Sequence, residues 1–215
     1  MMTTPSRPVV FIHGLWLHAS SWTPWTELFQ AEGYAPLAPG WPGASDTVEE
    51  TRSHPEQVAG KGIDDVVEHY AQVIGVLDTA PIVIGHSFGG LIAQRLLGQD
   101  VAAAAVAIDP APVKGVIYLP PSALRVASIA LRNPANRNKA ISLTPEQFRY
   151  GFANALPAQE SADLYQRWTV TDLREFNDRG HSLVIDHGWR EIADEVLSWL
   201  SQRLTQPAAG AGTDR

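Results

Sequence analysis

The chain contains no cysteine. That excludes disulfides, thiol nucleophiles and thiolate-held metals, and it is compatible with a reducing compartment. Long apolar runs are missing too: no stretch approaches the ~20 residues of a membrane span, and residues 1–7 lack the apolar core of a signal peptide. Positive charge is scarce. With 16 Lys and Arg against 23 Asp and Glu the net charge is -7, and no basic cluster exists that could neutralise the phosphates of nucleic acid or an anionic membrane surface. These absences leave a cytoplasmic protein with a small-molecule substrate as the expectation. Of what is present, 45% of the 215 residues are hydrophobic, enough to bury a sizeable core in one domain spanning 1–215.

Apolar runs and helical periodicity alternate along the chain. Strands are expected at 8–12, 34–38, 81–85, 103–109 and 171–176, and helices at 19–32, 63–79, 87–98 and 188–204. In the last helix Trp189, Ile192, Ala193, Val196, Leu197 and Leu200 recur at three and four spacing, which marks a core-facing stripe. Such alternation predicts an α/β fold: a doubly wound, mostly parallel sheet covered by helices on both faces. Residues 205–215, rich in Ala and Gly, have too little apolar surface to pack and are expected to form a disordered tail.

The run Pro81-Ile82-Val83-Ile84 leads into Gly85-His86-Ser87-Phe88-Gly89-Gly90 and then into the helical stretch from Leu91 to Leu97. A strand that turns sharply into a helix holds the residue at its tip in a strained conformation, and small neighbours are needed where the two elements approach. In this pattern, the nucleophile elbow G-x-S-x-G, Ser87 projects its hydroxyl above the strand ends. The helix that follows aims unpaired N–H groups and a positive dipole end at any oxygen held there.

A second buried strand, Pro8-Val9-Val10-Phe11-Ile12, ends in His13-Gly14, and Arg179-Gly180-His181-Ser182 stands near the C-terminus. Together with the elbow these motifs span residues 8–182, and the chain resembles the α/β-hydrolase superfamily, in particular its serine esterases and lipases. The resemblance implies that Leu15, after His-Gly, and Phe88, after the nucleophile, give the two oxyanion N–H groups. It makes His13 a structural brace of the turn. It also implies a helical cap over the elbow at about 112–170, where the sequence changes to Pro-punctuated helical pieces at 145–155 and 160–168. Trp16 with the cap aromatics Phe148, Phe152 and Trp168 is expected to line an apolar substrate pocket, although cap aromatics also serve to pack a cap onto its sheet.

A serine hydroxyl needs a base, and histidine, with an ordinary pKa near 6.5, is suited to that role. His181 follows the expected strand 171–176 in a loop at the sheet's carboxyl edge, where the family keeps its catalytic histidine. His187 is the competitor, with a reading as the start of the last helix. His18, His54 and His69 need no special role. The orienting acid is where the sequence departs from the family. Between Trp168 and Thr171 stand only Thr169 and Val170, so the strand-helix unit that usually carries the acid has no room. Some relatives carry the acid one strand earlier, which here is Asp109 in Ala107-Ile108-Asp109-Pro110, although Asp before Pro is also an ordinary turn opener. Asp178 and Asp172 are the alternatives.

The expected activity is cofactor-free and metal-free cleavage of carboxylic esters through an acyl-enzyme on Ser87 with His181 as base. A catalytically impaired binding or interaction protein on the same fold and a cofactor-free lyase are the alternatives. A shortened sheet would leave an unpaired edge, which a homodimer could cover.

Overall fold

The computed structural model of the chain describes residues 6–113, 143–169, 185, 187 and 189–204. Among the described residues four parallel strands, β1 (Pro8–Ile12), β2 (Ala35–Leu37), β3 (Ile82–His86) and β4 (Ala104–Ile108), form one sheet in the order β2-β1-β3-β4. The helices between them are α1 (Thr23–Ala31), α2 (Val48–Ser53), α3 (Pro55–Val58), α4 (Ile63–Gly75) and α5 (Phe88–Gly98). The cap contributes α6 (Pro145–Gly151) and α7 (Ala158–Trp168), and α8 (Trp189–Leu204) follows. The expected strand 171–176, the middle of the cap and the 205–215 tail lie outside the described residues.

Why the sheet is covered on both faces follows from its central strands. Val9, Val10, Phe11 and Ile12 are all fully buried, as are Ile82, Val83 and Ile84, so neither face can be left to water. Alternate residues divide between two cores. Val9, Phe11, Ile82 and Ile84 point into a cluster with Trp22, Trp25 and Phe29 on one side, joined by α6, α7 and α8 residues. Val10, Ile12 and Val83 meet Val66, Val67, Tyr70 and Ile74 of α4 and Ile92, Ala93 and Leu96 of α5 on the other. Phe11 anchors the first cluster, with ring centroids 5.0 Å from Trp22 and 5.2 Å from an edge-on Phe29.

Several boundaries differ from those expected, among them the helical piece over 145–155, which ends at Gly151, and two have a plain local cause. The continuous helix over 19–32 is broken into a 3-10 turn, Ala19–Trp22, and α1. Pro24 has no N–H and fits only the first turn of a helix, so α1 starts there. Likewise α4 ends at Gly75 rather than at 79, because glycine is a poor helix former and Val76 beyond it is exposed rather than packed. The short strand β2 carries Pro36 and sits at the sheet edge beside β1, where a missing N–H is tolerated. Among the described residues no helix is long and apolar enough to cross a membrane.

Candidate active site

Ser87 stands between β3 and α5 with φ 57° and ψ -121°, a backbone conformation an L-residue adopts only when its surroundings force it. The force is steric. A methyl group on Gly85 would come within 2.0 Å of the Gly89 carbonyl oxygen, and one on Gly89 within 2.1 Å of the Ile12 carbonyl oxygen. One on Gly14 would meet the Ser87 Cβ at 2.9 Å. The three glycines let β3, α5 and the turn after β1 close on one point, and Ser87 occupies it. Its N–H donates to the Ile108 carbonyl at 3.0 Å, and its carbonyl accepts from Ala111 at 2.9 Å and Leu91 at 3.2 Å, so the tip is held on both sides.

Of the four non-glycine residues with positive φ among the described ones, three lie at the carboxyl ends of neighbouring strands: Trp16 after β1, Ser87 after β3 and Asp109 after β4. Strain concentrated at one sheet edge marks that edge as the site. Leu15 and Phe88 are half-buried there, and neither N–H has an acceptor among the described residues. Asp109 follows Ile108, which pairs with His86, so Ser87 and Asp109 are the next residues of adjacent strands. Its side chain is on the exposed side of the burial range.

His13 supports the turn below this edge. Its ring is stacked on Trp41 at 5.5 Å, its Nδ1–H donates to the Gly14 carbonyl at 2.9 Å, and Trp41 Nε1 donates to the His13 carbonyl at 3.1 Å. Burial pushes its pKa down to about 4, so the ring is neutral at pH 7 and suited to bracing rather than to proton transfer. His18 is buried as well. Its Nδ1 accepts from the Ser20 N–H at 3.1 Å, which leaves Nε2 to donate to the Ser45 carbonyl at 3.0 Å.

A cavity of about 280 Å³ opens beside the elbow. One wall is the turn after β1, including Leu15, Trp16 and Leu17, together with Phe88. The other is the segment between β2 and α4, with Trp41, Thr51, Val58 and Lys61, and Ile63 at the start of α4. This second wall has no counterpart in the sequence reading. A long connection between a strand and a helix is itself a signal, since most such connections are short unless they serve a site.

The cap aromatics stand elsewhere. Phe148, Phe152 and Trp168 are buried in the first core cluster and are not among the described residues that line this cavity. Phe148 and Phe152 stack at 5.3 Å, and Phe152 meets Trp16 edge-on at 5.5 Å. Through these contacts the cap is fastened to the turn that carries Leu15. The fastening continues in the backbone: His18 N–H donates to the Trp168 carbonyl at 3.0 Å, and Leu17 forms an antiparallel bridge with Thr169. Arg52 of α2 completes it by donating to the carbonyls of Thr169 at 2.8 Å, Gln166 at 2.9 Å and Tyr165 at 3.2 Å.

His181, Asp178 and Asp172 lie outside the described residues. His187 is engaged with Glu160 of α7, Nδ1 to Oε1 at 3.0 Å. His69 reaches the Gly40 carbonyl at 3.1 Å, and His54 precedes α3.

The sequence matches the Alpha/beta hydrolase family over residues 9–213. No curated protein matches it. Among solved structures, an extracellular alpha/beta-hydrolase from a Paenibacillus species, described as sharing structural and functional homology with tobacco salicylic acid binding protein 2, is 25% identical. It superposes with a TM-score of 0.58 over 83% of this chain and 74% of its own. A methylesterase from Arabidopsis is 17% identical, with a TM-score of 0.55 over 88% of this chain and 84% of its own. Tomato methylketone synthase I, solved with 2-tridecanone, is 12% identical, with a TM-score of 0.64 over 93% of this chain and 99% of its own. The parallel sheet with helices on both faces is thus the fold these proteins share.

Proposed function

Because the chain belongs to the alpha/beta hydrolase family, we propose that it is a serine hydrolase cleaving carboxylic esters through an acyl-enzyme on Ser87. The observation that carries this reading is the strained backbone of Ser87, wedged between Gly14, Gly85 and Gly89 beside a cavity. A chain that kept only the fold would have no use for that conformation, which costs of order 1–3 kcal/mol.

In the reaction Ser87 Oγ attacks the ester carbonyl while His181 takes its proton. The charge that develops on the carbonyl oxygen is held by the N–H groups of Leu15 and Phe88, both without an acceptor among the described residues. Collapse breaks the bond to the alcohol oxygen, and His181 returns the proton to the leaving alcohol. Water, activated by the same histidine, then releases the acid and restores Ser87. Asp109, next to Ser87 across the β3–β4 pair, is the residue that orients His181.

Hydrolysis of p-nitrophenyl esters of graded acyl length by the purified chain, with Ser87→Ala in parallel, tests this. The expected result is turnover by the native chain and a loss of at least about 10³-fold in the variant. Equal rates in two folded proteins would refute it.

A further inference from the structure

The cavity lined by Phe88, the neighbour of Ser87, is mostly apolar, with His13, His18, Thr51 and Lys61 as its polar side chains. Lys61 is the only Lys or Arg among the described residues that line it, and the ring nitrogens of His18 are already bonded to the Ser20 N–H and the Ser45 carbonyl. Lys61 stands immediately before Gly62, the N-cap of α4, and lines the same cavity as Leu15 and Phe88. It has no ion pair or hydrogen bond with any described residue. The acids beside it are engaged: Asp64 pairs with Arg95, and Asp65 Oδ2 accepts the Gly62 N–H at 2.7 Å. A lysine placed only for solubility could stand anywhere on the surface. This one is at the margin of the cavity, its local carboxylates already used by other groups.

We infer that the cavity takes an anionic ester: a half-ester of a small dicarboxylic acid, or an ester of similar size, whose free carboxylate meets Lys61 while the reacting carbonyl lies at the Leu15 and Phe88 side. The inference rests on Ser87 being the nucleophile at this cavity. Its volume of about 280 Å³ is just below the range of most ligand pockets, about 300–1,000 Å³, and suits a short acyl chain with a charged end rather than a long lipid tail. Apolar walls hold the methylenes, and the ammonium discriminates by charge. Hydrolysis breaks the acyl C–O bond, leaves the acyl group on Ser87 and releases a dicarboxylate when water enters.

Mono-p-nitrophenyl adipate and p-nitrophenyl hexanoate have acyl chains of equal length and differ in the terminal carboxylate. The measurement is kcat/KM for both with the native chain, Lys61→Ala, Lys61→Glu and Ser87→Ala. The adipate-to-hexanoate ratio is expected to fall about fivefold in Lys61→Ala, the effect of a partly exposed ion pair, and further in Lys61→Glu. Turnover of hexanoate that requires Ser87, with a ratio unchanged in both Lys61 variants, overturns the inference and leaves the hydrolase reading intact. If the native chain turns over neither ester, the hydrolase reading falls and binding decides. Trp16 and Trp41 line the cavity, so their fluorescence reports titration of Ser87→Ala with monomethyl adipate. Saturation weakened when Lys61→Ala is added supports recognition of the free carboxylate by Lys61, with the ester as ligand rather than substrate, and a titration that ignores Lys61 overturns the inference.

Discussion

The Ser87 N–H donates to the Ile108 carbonyl at 3.0 Å, so the elbow residue itself makes the last bond between β3 and β4. The strand that would otherwise end at His86 is thereby locked to its neighbour at the point where it reverses into α5. Ser87 and Asp109 then emerge side by side from adjacent strands, both with left-handed φ, 57° and 43°. Neither position can drift without breaking the register His86 with Ile108.

The glycines around this lock are not interchangeable with alanine. At Gly89 an added methyl would fall 2.1 Å from the Ile12 carbonyl oxygen and 2.8 Å from that of His13, and backbone cannot yield cheaply. Gly89→Ala is expected to lower stability by about 3 kcal/mol and to abolish esterase activity. Gly33 has φ 86° with nothing within 4 Å, so Gly33→Ala should cost only the strain of about 1 kcal/mol and leave activity in place. Urea denaturation of the two variants checks the contrast.

How much of this was legible in the sequence depended on whether local pattern or distant contact decides each element. β1, β3 and β4 announce themselves as unbroken apolar runs, and Gly85, Ser87 and Gly89 between a strand and a helix mark the elbow. The connection between β2 and α4 does not. Its helices α2 and α3 are short and polar, and they are held by tertiary bonds: buried Thr51 donates to the Thr47 carbonyl at 2.8 Å and accepts from the Ser45 N–H at 3.1 Å. Nothing in the local sequence shows that His18 will meet Ser45 or that Arg52 will reach the cap. The cap aromatics were readable as apolar, but packing against Trp16 and one another, a matter of three-dimensional proximity, places them in the core.

Arg52 is expected to hold the end of α7 and, through it, the cap. Its guanidinium donates to the carbonyls of Tyr165, Gln166 and Thr169 at the end of α7, where helix carbonyls run out of intrahelical partners, although the Tyr165 carbonyl also accepts the Thr169 N–H at 3.3 Å. Arg52→Gln should lower stability by about 2 kcal/mol, a fall in Tm of about 4–8 °C for a chain of this size. Arg52→Lys should recover little of it, because one ammonium cannot fork across three acceptors. A melting curve unchanged in Arg52→Gln would show that the aromatic packing on Trp16, the His18–Trp168 bond and the Leu17–Thr169 bridge hold the cap without it.

His13 predicts an acid sensitivity with a definite sign. Its pKa is depressed by burial from 6.5 to about 4, so between these values the unfolded chain binds a proton that the folded chain refuses. Folding stability contributed by this group is complete above about pH 6.5 and is lost progressively as pH falls toward 4, by about 3 kcal/mol over the window. In His13→Asn, which keeps a hydrogen-bonding side chain without titrating, the drop in stability between pH 7 and pH 4.5 should be smaller than in the native chain. Parallel pH dependences in the two proteins would contradict this.

Asp109→Asn separates a catalytic carboxylate from a turn former with unusual clarity. Asparagine adopts positive φ as readily as aspartate, so the 43° backbone angle and the turn before Pro110 survive the exchange. The side chain lies on the exposed side of the burial range, which keeps the effect on stability small. If the carboxylate orients His181, removing its charge leaves the histidine in the wrong tautomer, and kcat should fall about 10³- to 10⁴-fold with Tm nearly unchanged. Should activity stay within threefold of native, Asp109 is only the turn opener that its Asp-Pro sequence suggests. The same measurement on Asp178→Asn and Asp172→Asn would then find the orienting acid.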